Sequence, residues 1–321
     1  PRDLRELIGE HVTGSQSLNF ADQLKFWEGR FGQIKLEDAN LPFIAEERVL
    51  KAKDNAAKAA IDAEFERTTK VREAVMNVLL TRHSNRDAFR RLYPFSPALV
   101  ETLVAVSSLL QRERTALKIM LQLLVDQKNT LKLGELVPVG DLYDQIAEGD
   151  EAFSADMKRH FDTADQLYRR QLQPILEETH GISFEDAEKL DYRDPKREAL
   201  RTDDRLIKTL LLAALAPEVE SLKNLTPARL AALNHGTIKS PIPGQEAGIV
   251  LNKLRHFAGR CGQIKIPDAS AQPIVSIQLS GVDVEAILDK ALERDNYGNR
   301  IRLLKEKLYD SLGFQNNDKL W

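Results

Sequence analysis

Between Thr226 and Lys265 the chain places six cations, Arg229, Lys239, Lys253, Arg255, Arg260 and Lys265, against one carboxylate, Glu246. The local balance is +5 within a chain whose formal total is −3. Lys253, His256 and Arg260 are spaced three and four apart, so a helix carries them on one face. Cations so arrayed neutralise phosphates, and binding through them depends on salt. The same array also suits an ordinary solvated face on a domain used for protein contacts. A second group, Arg112 and Arg114 in "LLQRERTALKIM", falls at the junction of two apolar helices. An arginine there is either a surface charge beside a turn or a group aimed from a rigid platform at a ligand. Its planar, permanently charged fork suits phosphates.

The chemistry that is absent narrows the function further. The sequence has no GxxxxGK[ST] phosphate loop, no GxGxxG after a strand and no HExxH. Its six histidines lack metal-ligand spacing. Cys261 follows His256 by five residues, and the two diverge if the helix ends at Gly259. The acid pairs Asp203–Asp204 and Glu177–Glu178 read as solvated helix faces. No catalytic residue and no metal ligand is expected.

Positioning these groups requires mostly helices. Asp38 or Asn40 can cap a helix from Leu41. Asp54–Thr81 reads as one long, largely exposed helix. Ser96 caps a buried helix with Pro97 in its first turn, and a further helix carries Leu117, Met120, Leu121 and Leu124. "ELVPVGDLYDQI" suggests a short strand, a turn and a helix capped by Asp141. One amphipathic helix is expected over Ser154–Thr179, and the charged stretch Asp191–Asp204 reads as a linker. Then come helices over about 203–216, 226–234 and 245–258, followed by two β-like runs, "QIKI" and "IVSIQL". Helix, helix, helix, hairpin is the order of a winged helix-turn-helix, whose third helix is the one offered to the major groove. Helices from about Asp283 and Asn299 complete the chain.

"GRFGQIKLED" (Gly29–Asp38) and "GRCGQIKIPD" (Gly259–Asp268) match at seven of ten positions. Their surroundings differ, so they read as one type of junction used twice, a helix closed by a left-handed glycine before a strand, rather than as a duplication.

The 321 residues suffice for two or three cores. A hydrophobic content of 42% with 30% charged residues fits a globular protein. The near-neutral total excludes a global polyanion-binding signal. The single cysteine fits a reducing cytosol, and no apolar run approaches the roughly 20 residues of a membrane-spanning helix. A cytoplasmic protein without a membrane partner is expected.

"LYPFSPALVETLVAVSSLLQRERTALKIMLQLL" resembles the helical lid of AAA+-like P-loop ATPases from bacterial phage-resistance systems, with the PglY/BrxC-type proteins of the BREX group as the named example. "GRFGQIKLEDANLPFIAEERVL" looks like the segment before that lid. "LTPARLAALNHGTIKSPIPGQEAGIVLNKLRHFAG" and "VSIQLSGVDVEAILDKALERDNYGNRIRLL" look like later pieces of the same proteins. The resemblance implies an internal or C-terminal fragment that holds no cofactor itself, with ATP and Mg bound by the parent protein. It implies that Arg112 or Arg114 senses the nucleotide and that Arg30 reaches a neighbouring subunit's γ-phosphate. It also implies other defence subunits as partners and a homo-oligomer formed through the parent.

The expectation is therefore a mainly α chain. Residues 1–190 form a helical lid-like region. Residues 191–321 form a winged-helix-like region with a small β-hairpin and C-terminal helices. The expected role is a non-catalytic portion of a phage-defence ATPase that couples nucleotide state to DNA or partner binding. DNA would lie against Arg229, Lys239, Lys253, Arg255, His256, Arg260 and Lys265. The alternatives are a protein–protein scaffold of a defence complex and a winged-helix transcription regulator.

Overall fold

A computed structural model of the chain describes residues 41–82, 84–109, 115–147, 155–242, 244–267, 272–279 and 296–312. The expected helix from about Asp283 lies outside them. The chain divides into two compact units, Pro1–Leu279 and Ser280–Trp321.

In the first unit the helices are α1 (Leu41–Arg48), α2 (Asn55–Thr68), α3 (Glu73–Leu80), α4 (Arg86–Leu92), α5 (Pro97–Leu109) and α6 (Thr115–Asp126). After a 3-10 turn at Val139–Asp141 come α7 (Leu142–Ala147), α8 (Ala155–Leu167), a π turn (Tyr168–Leu172), α9 (Gln173–His180) and α10 (Phe184–Lys189). The unit closes with α11 (Pro195–Leu215), α12 (Pro227–Leu233), α13 (Glu246–Ala258), β1 (Ile264–Lys265) and β2 (Ser276–Ile277). The strands pair antiparallel, Ile264 opposite Ile277 and Lys265 opposite Ser276. The protein is mainly helical with one small two-stranded sheet and a trailing helix.

Local signals explain most boundaries. Asp54 accepts from Ala57 N at 2.7 Å to start α2, and Ser96 Oγ accepts from Leu99 N at 3.2 Å to start α5. Thr226 caps α12 with Pro227 in its first turn. Three expectations change. The single helix over Asp54–Thr81 is two, because Thr69 turns its hydroxyl back on Phe65 O at 2.7 Å and the chain breaks before α3. The segment before Pro138 forms no strand; Val137 N bonds Pro94 O instead, at 3.1 Å. Asp191–Asp204 is not a linker, since α11 begins at Pro195 with Asp194 accepting from Lys196 N at 2.9 Å.

Helix α11 is the axis of the unit. It packs against α7, α8, α9, α10, α12, the 3-10 turn and β2. Its Leu206, Ile207, Leu210, Leu211 and Leu212 are wholly buried, each side chain stabilising by about 1.5–3 kcal/mol. The core they join runs from Ala45 to Ile277. A satellite cluster joins Phe65, Leu79, Phe89, Tyr93 and Leu136, with Phe65 meeting Phe89 edge to face at 5.4 Å.

The acid pair at Asp203–Asp204, expected on a solvated face, is buried here. Asp204 takes Lys208 Nζ at 2.7 Å and the Tyr168 hydroxyl at 2.6 Å. Lys208 also reaches Asp144 at 2.7 Å. Burial pushes the Asp204 carboxyl up, with Lys208 opposing. Burial pulls Lys208 down, but Asp204 and Asp144 outweigh it and hold the ammonium above its usual range. The two groups thus meet at ion-pairing distance inside the core, each offsetting part of the other's burial.

In the second unit α14 (Tyr297–Leu312) exposes Ile301, Leu304 and Leu308.

The 3-10 turn lies hard against α11. A Cβ on Gly140 would stand 2.3 Å from Arg205 O and 2.8 Å from its Cα. Gly140→Ala therefore forces backbone apart. It should lower stability by about 1–3 kcal/mol in a denaturant melt, whereas Gly248→Ala, whose Cβ meets nothing within 4 Å, should not.

Candidate nucleic-acid interface

Thr226–Lys265 folds into α12, α13 and the first hairpin strand. Helix α13 forms because Val250, Leu254 and Phe257 recur at helical spacing and bury one side. That periodicity also decides where its cations go. Lys253 and His256 lie on the flank facing α9 and α11, and Arg260 follows in the turn after the helix.

Each of these meets an acceptor from the same unit. Lys253 Nζ binds Asp203 Oδ1 at 2.5 Å, and that carboxylate is 3% exposed. His180 Nε2 lies 3.0 Å from the other oxygen of Asp203. Arg260 pairs with Glu178, and His256 Nε2 is 3.4 Å from the Thr179 hydroxyl. Lys239 pairs with Glu198 at 2.6 Å. Arg229 donates to the carbonyls of Glu220 and Ser221 at 3.3 and 3.1 Å. Lys265 is half-buried in β1. Arg255 is exposed and makes no ion pair with a described residue.

The face that the spacing assembles is thus present, and its charges are spent on carboxylates of α9 and α11. Spacing within α13 could not reveal this, because Glu178 and Asp203 come from 50 to 82 residues earlier. Arg30, Arg112 and Arg114 lie outside the described residues, as does the first of the two look-alike stretches. The second is a helix-to-strand junction as expected, but Gly259 stays right-handed at φ −64°. The chain leaves α13 through Arg260 N and Cys261 N, both bonded to Phe257 O, so the turn needs no left-handed residue.

Cys261 and His256 do diverge. The thiol is buried and directed at Gln263 Oε1, 3.2 Å away, and burial pushes it up. Such a thiol is a poor nucleophile at neutral pH. Among the described residues no cluster of His, Cys, Asp and Glu side chains is placed to hold a metal ion, and no helix is long and apolar enough to cross a membrane.

Fold and site together define a mainly helical body organised around α11. The model of the BREX System ATPase PglY protein 2nd domain matches residues 42–270. The chain belongs to that family, and so to a phage-defence system whose other subunits are its implied partners. No solved structure matches the chain.

The inward pairing has a measurable consequence. Lys253→Met leaves the buried Asp203 with His180 alone and should cost about 1–3 kcal/mol in a urea melt. Arg255→Met on the outer side should stay within about 0.5 kcal/mol. Equal, small effects would mean that Lys253 is solvated rather than built in.

Proposed function

We propose that the chain is a non-catalytic coupling body of a cytoplasmic phage-defence ATPase, passing nucleotide-dependent movement of its parent to a bound partner. The observation that carries this is the set of ion pairs along α11. Asp141 and Asp144 are tied to Arg205 and Lys208, and Asp203 binds α9 on one side and α13 on the other. The 3-10 turn, α7, α9 and α13 are thereby each tied to α11. In this proposal a displacement at the helices before α11 is passed through it to α13 and the hairpin. On this reading the helices before α11 act as a lid, Arg112 or Arg114 senses nucleotide, and Arg30 serves a neighbouring subunit. ATP and Mg are held by the parent, which also forms the oligomer.

A second reading, DNA contact through a winged helix, draws on α11, α12, α13 and the hairpin. Val275 N donates to Leu225 O at 2.8 Å, bringing the segment ahead of α12 against the hairpin as a third strand would. The inward pairing of Lys239, Lys253 and Arg260 weighs against a large phosphate footprint, and favours a protein partner.

Two measurements test this pair of readings. A clean preparation of the chain should give no protein-dependent ATP turnover; measurable turnover overturns the non-catalytic role. A labelled duplex titrated by fluorescence anisotropy at several salt concentrations should show at most a shallow salt slope, equivalent to about one or two phosphates. A slope equivalent to about five or more, lost in Arg255→Glu, would establish DNA as the partner.

A further inference from the structure

The sequence carries a second set of cations that no linear window displays. Arg193, Arg197, Arg201 and Arg205 recur every four residues, so those within α11 stack along one stripe of it. The stripe lines a cavity of about 330 Å³, in the size range of small-ligand sites. Across from it stand Lys132 and the segment Leu136–Pro138, and His235–Thr237 and Lys239 close a further side. Six cations therefore line the space against two carboxylates, Glu135 and Glu198.

Most of these charges have an account. Arg205 makes a two-pronged pair with Asp141, at 2.7 and 3.0 Å. Arg197 donates to the carbonyls of Glu188 and Leu190 at 3.1 and 2.5 Å. Lys239 holds Glu198. At the mouth, Lys132 and Arg193 face the ring of Tyr192 at 5.7 and 5.1 Å. Arg201, in the middle of the stripe, makes no hydrogen bond or ion pair with any described residue. It is half-buried. Burial, then the like charges of Arg205 and Arg197, hold its pKa below the usual arginine value.

A folded chain gains nothing from this placement by itself. A guanidinium stays charged at neutral pH, and desolvating it between two others without a counter-ion costs stability. The cost is offset when an anion enters. Neighbouring Asp141 and Glu198 are already committed to Arg205 and Lys239, and Asp141 and Glu188 offset the burial of Arg201 only in part, so an anion entering the cavity would supply the missing direct partner. Guanidinium forks converging on one small space match phosphate oxygens in geometry as well as charge.

From this cavity, its unmatched Arg201 and its cationic rim, we propose that it is a binding site for a small phosphate-bearing ligand, held by Arg201 with Lys132 and Arg193 at the entrance. The proposal is independent of the coupling role above. The space admits a small molecule, and its walls come from three separate stretches of the chain that the core holds together.

The test is calorimetric titration of the chain with inorganic pyrophosphate and, separately, with ADP, in low-salt buffer free of phosphate and sulfate. Binding is expected, with Arg201→Gln weakening it roughly tenfold or more and Arg255→Gln leaving it unchanged. A tighter response to ADP than to pyrophosphate would identify a nucleotide as the source of the phosphates; the reverse would identify the free anion. Thermal melts add a readout that a purely structural arginine would not give. Arg201→Gln should be at least as stable as the parent chain without ligand, and only the parent should gain stability with pyrophosphate. Should Arg201→Gln fail to fold, Lys132→Gln at the exposed rim should still weaken binding several-fold. No binding by the parent chain, binding indifferent to these substitutions, or Arg201-dependent binding of a DNA duplex without pyrophosphate binding would each overturn the proposal.

Discussion

The contact on which the structure turns is the buried ion pair between Asp204 and Lys208, one turn apart on α11. Neither charge could be left alone at that depth. Together, with Tyr168 and Asp144 supplying the remaining bonds, they allow a helix that is charged along part of its length to run through the middle of a core. Such pairs add little net stability over apolar side chains, but losing one partner is costly. What they provide is register. The α8–α9 arm meets α11 at Tyr168, and α7 meets it at Asp144; a slip of α11 by one residue would strand all four groups.

The same logic extends along the helix. Thr202 and Thr209 bond back to Glu198 O and Arg205 O at 2.8 and 2.7 Å. Asn234, wholly buried at the end of α12, donates to Thr209 Oγ1 at 2.9 Å and accepts from Gly140 N at 3.3 Å. One amide thus joins α11, α12 and the 3-10 turn, which is possible because Gly140 lets that turn touch the α11 backbone. Apolar burial drives these elements together without direction. The polar contacts then favour the arrangement in which Asn234, Thr202, Thr209 and Gly140 N find their partners.

Much of this was legible in the sequence wherever the signal was local. Ser96 before Pro97 and Thr226 before Pro227 mark helix starts by chemistry that acts within three residues. Leu99, Leu103 and Val106 announce a buried helix by spacing. The order of three helices and a hairpin after about residue 203 follows from punctuation and β-like runs. What could not be read was the inside of α11. "DYRDPKREALRTDD" has the composition of a solvated linker, and hydropathy cannot tell a charge that faces water from one that faces Tyr168 or His180. The break between α2 and α3 escaped for a related reason: Thr69 ends the helix through its own hydroxyl, while the apolar spacing runs on past it.

Charge patterning misled in both directions, and the cause is geometric. Thr226–Lys265 holds +5 as a string, yet Lys239, Lys253 and Arg260 are cancelled by Glu198, Asp203 and Glu178 from outside the string. For a phosphate to recruit those cations it must first displace a carboxylate, so the field over α13 is far weaker than the count suggests. Asp191–Asp204 shows the converse. It holds five carboxylates against four cations and so appears slightly acidic. Folding sends Asp203 and Asp204 inward and leaves Arg193, Arg197 and Arg201 around a cavity with Lys132. A helix sorts its residues by angle, so one stretch of chain can supply carboxylates to the core and guanidinium groups to a cavity on its other side. The distribution of charge is therefore a property of helix faces, and the cavity lined by cations lies on α11 rather than on α13.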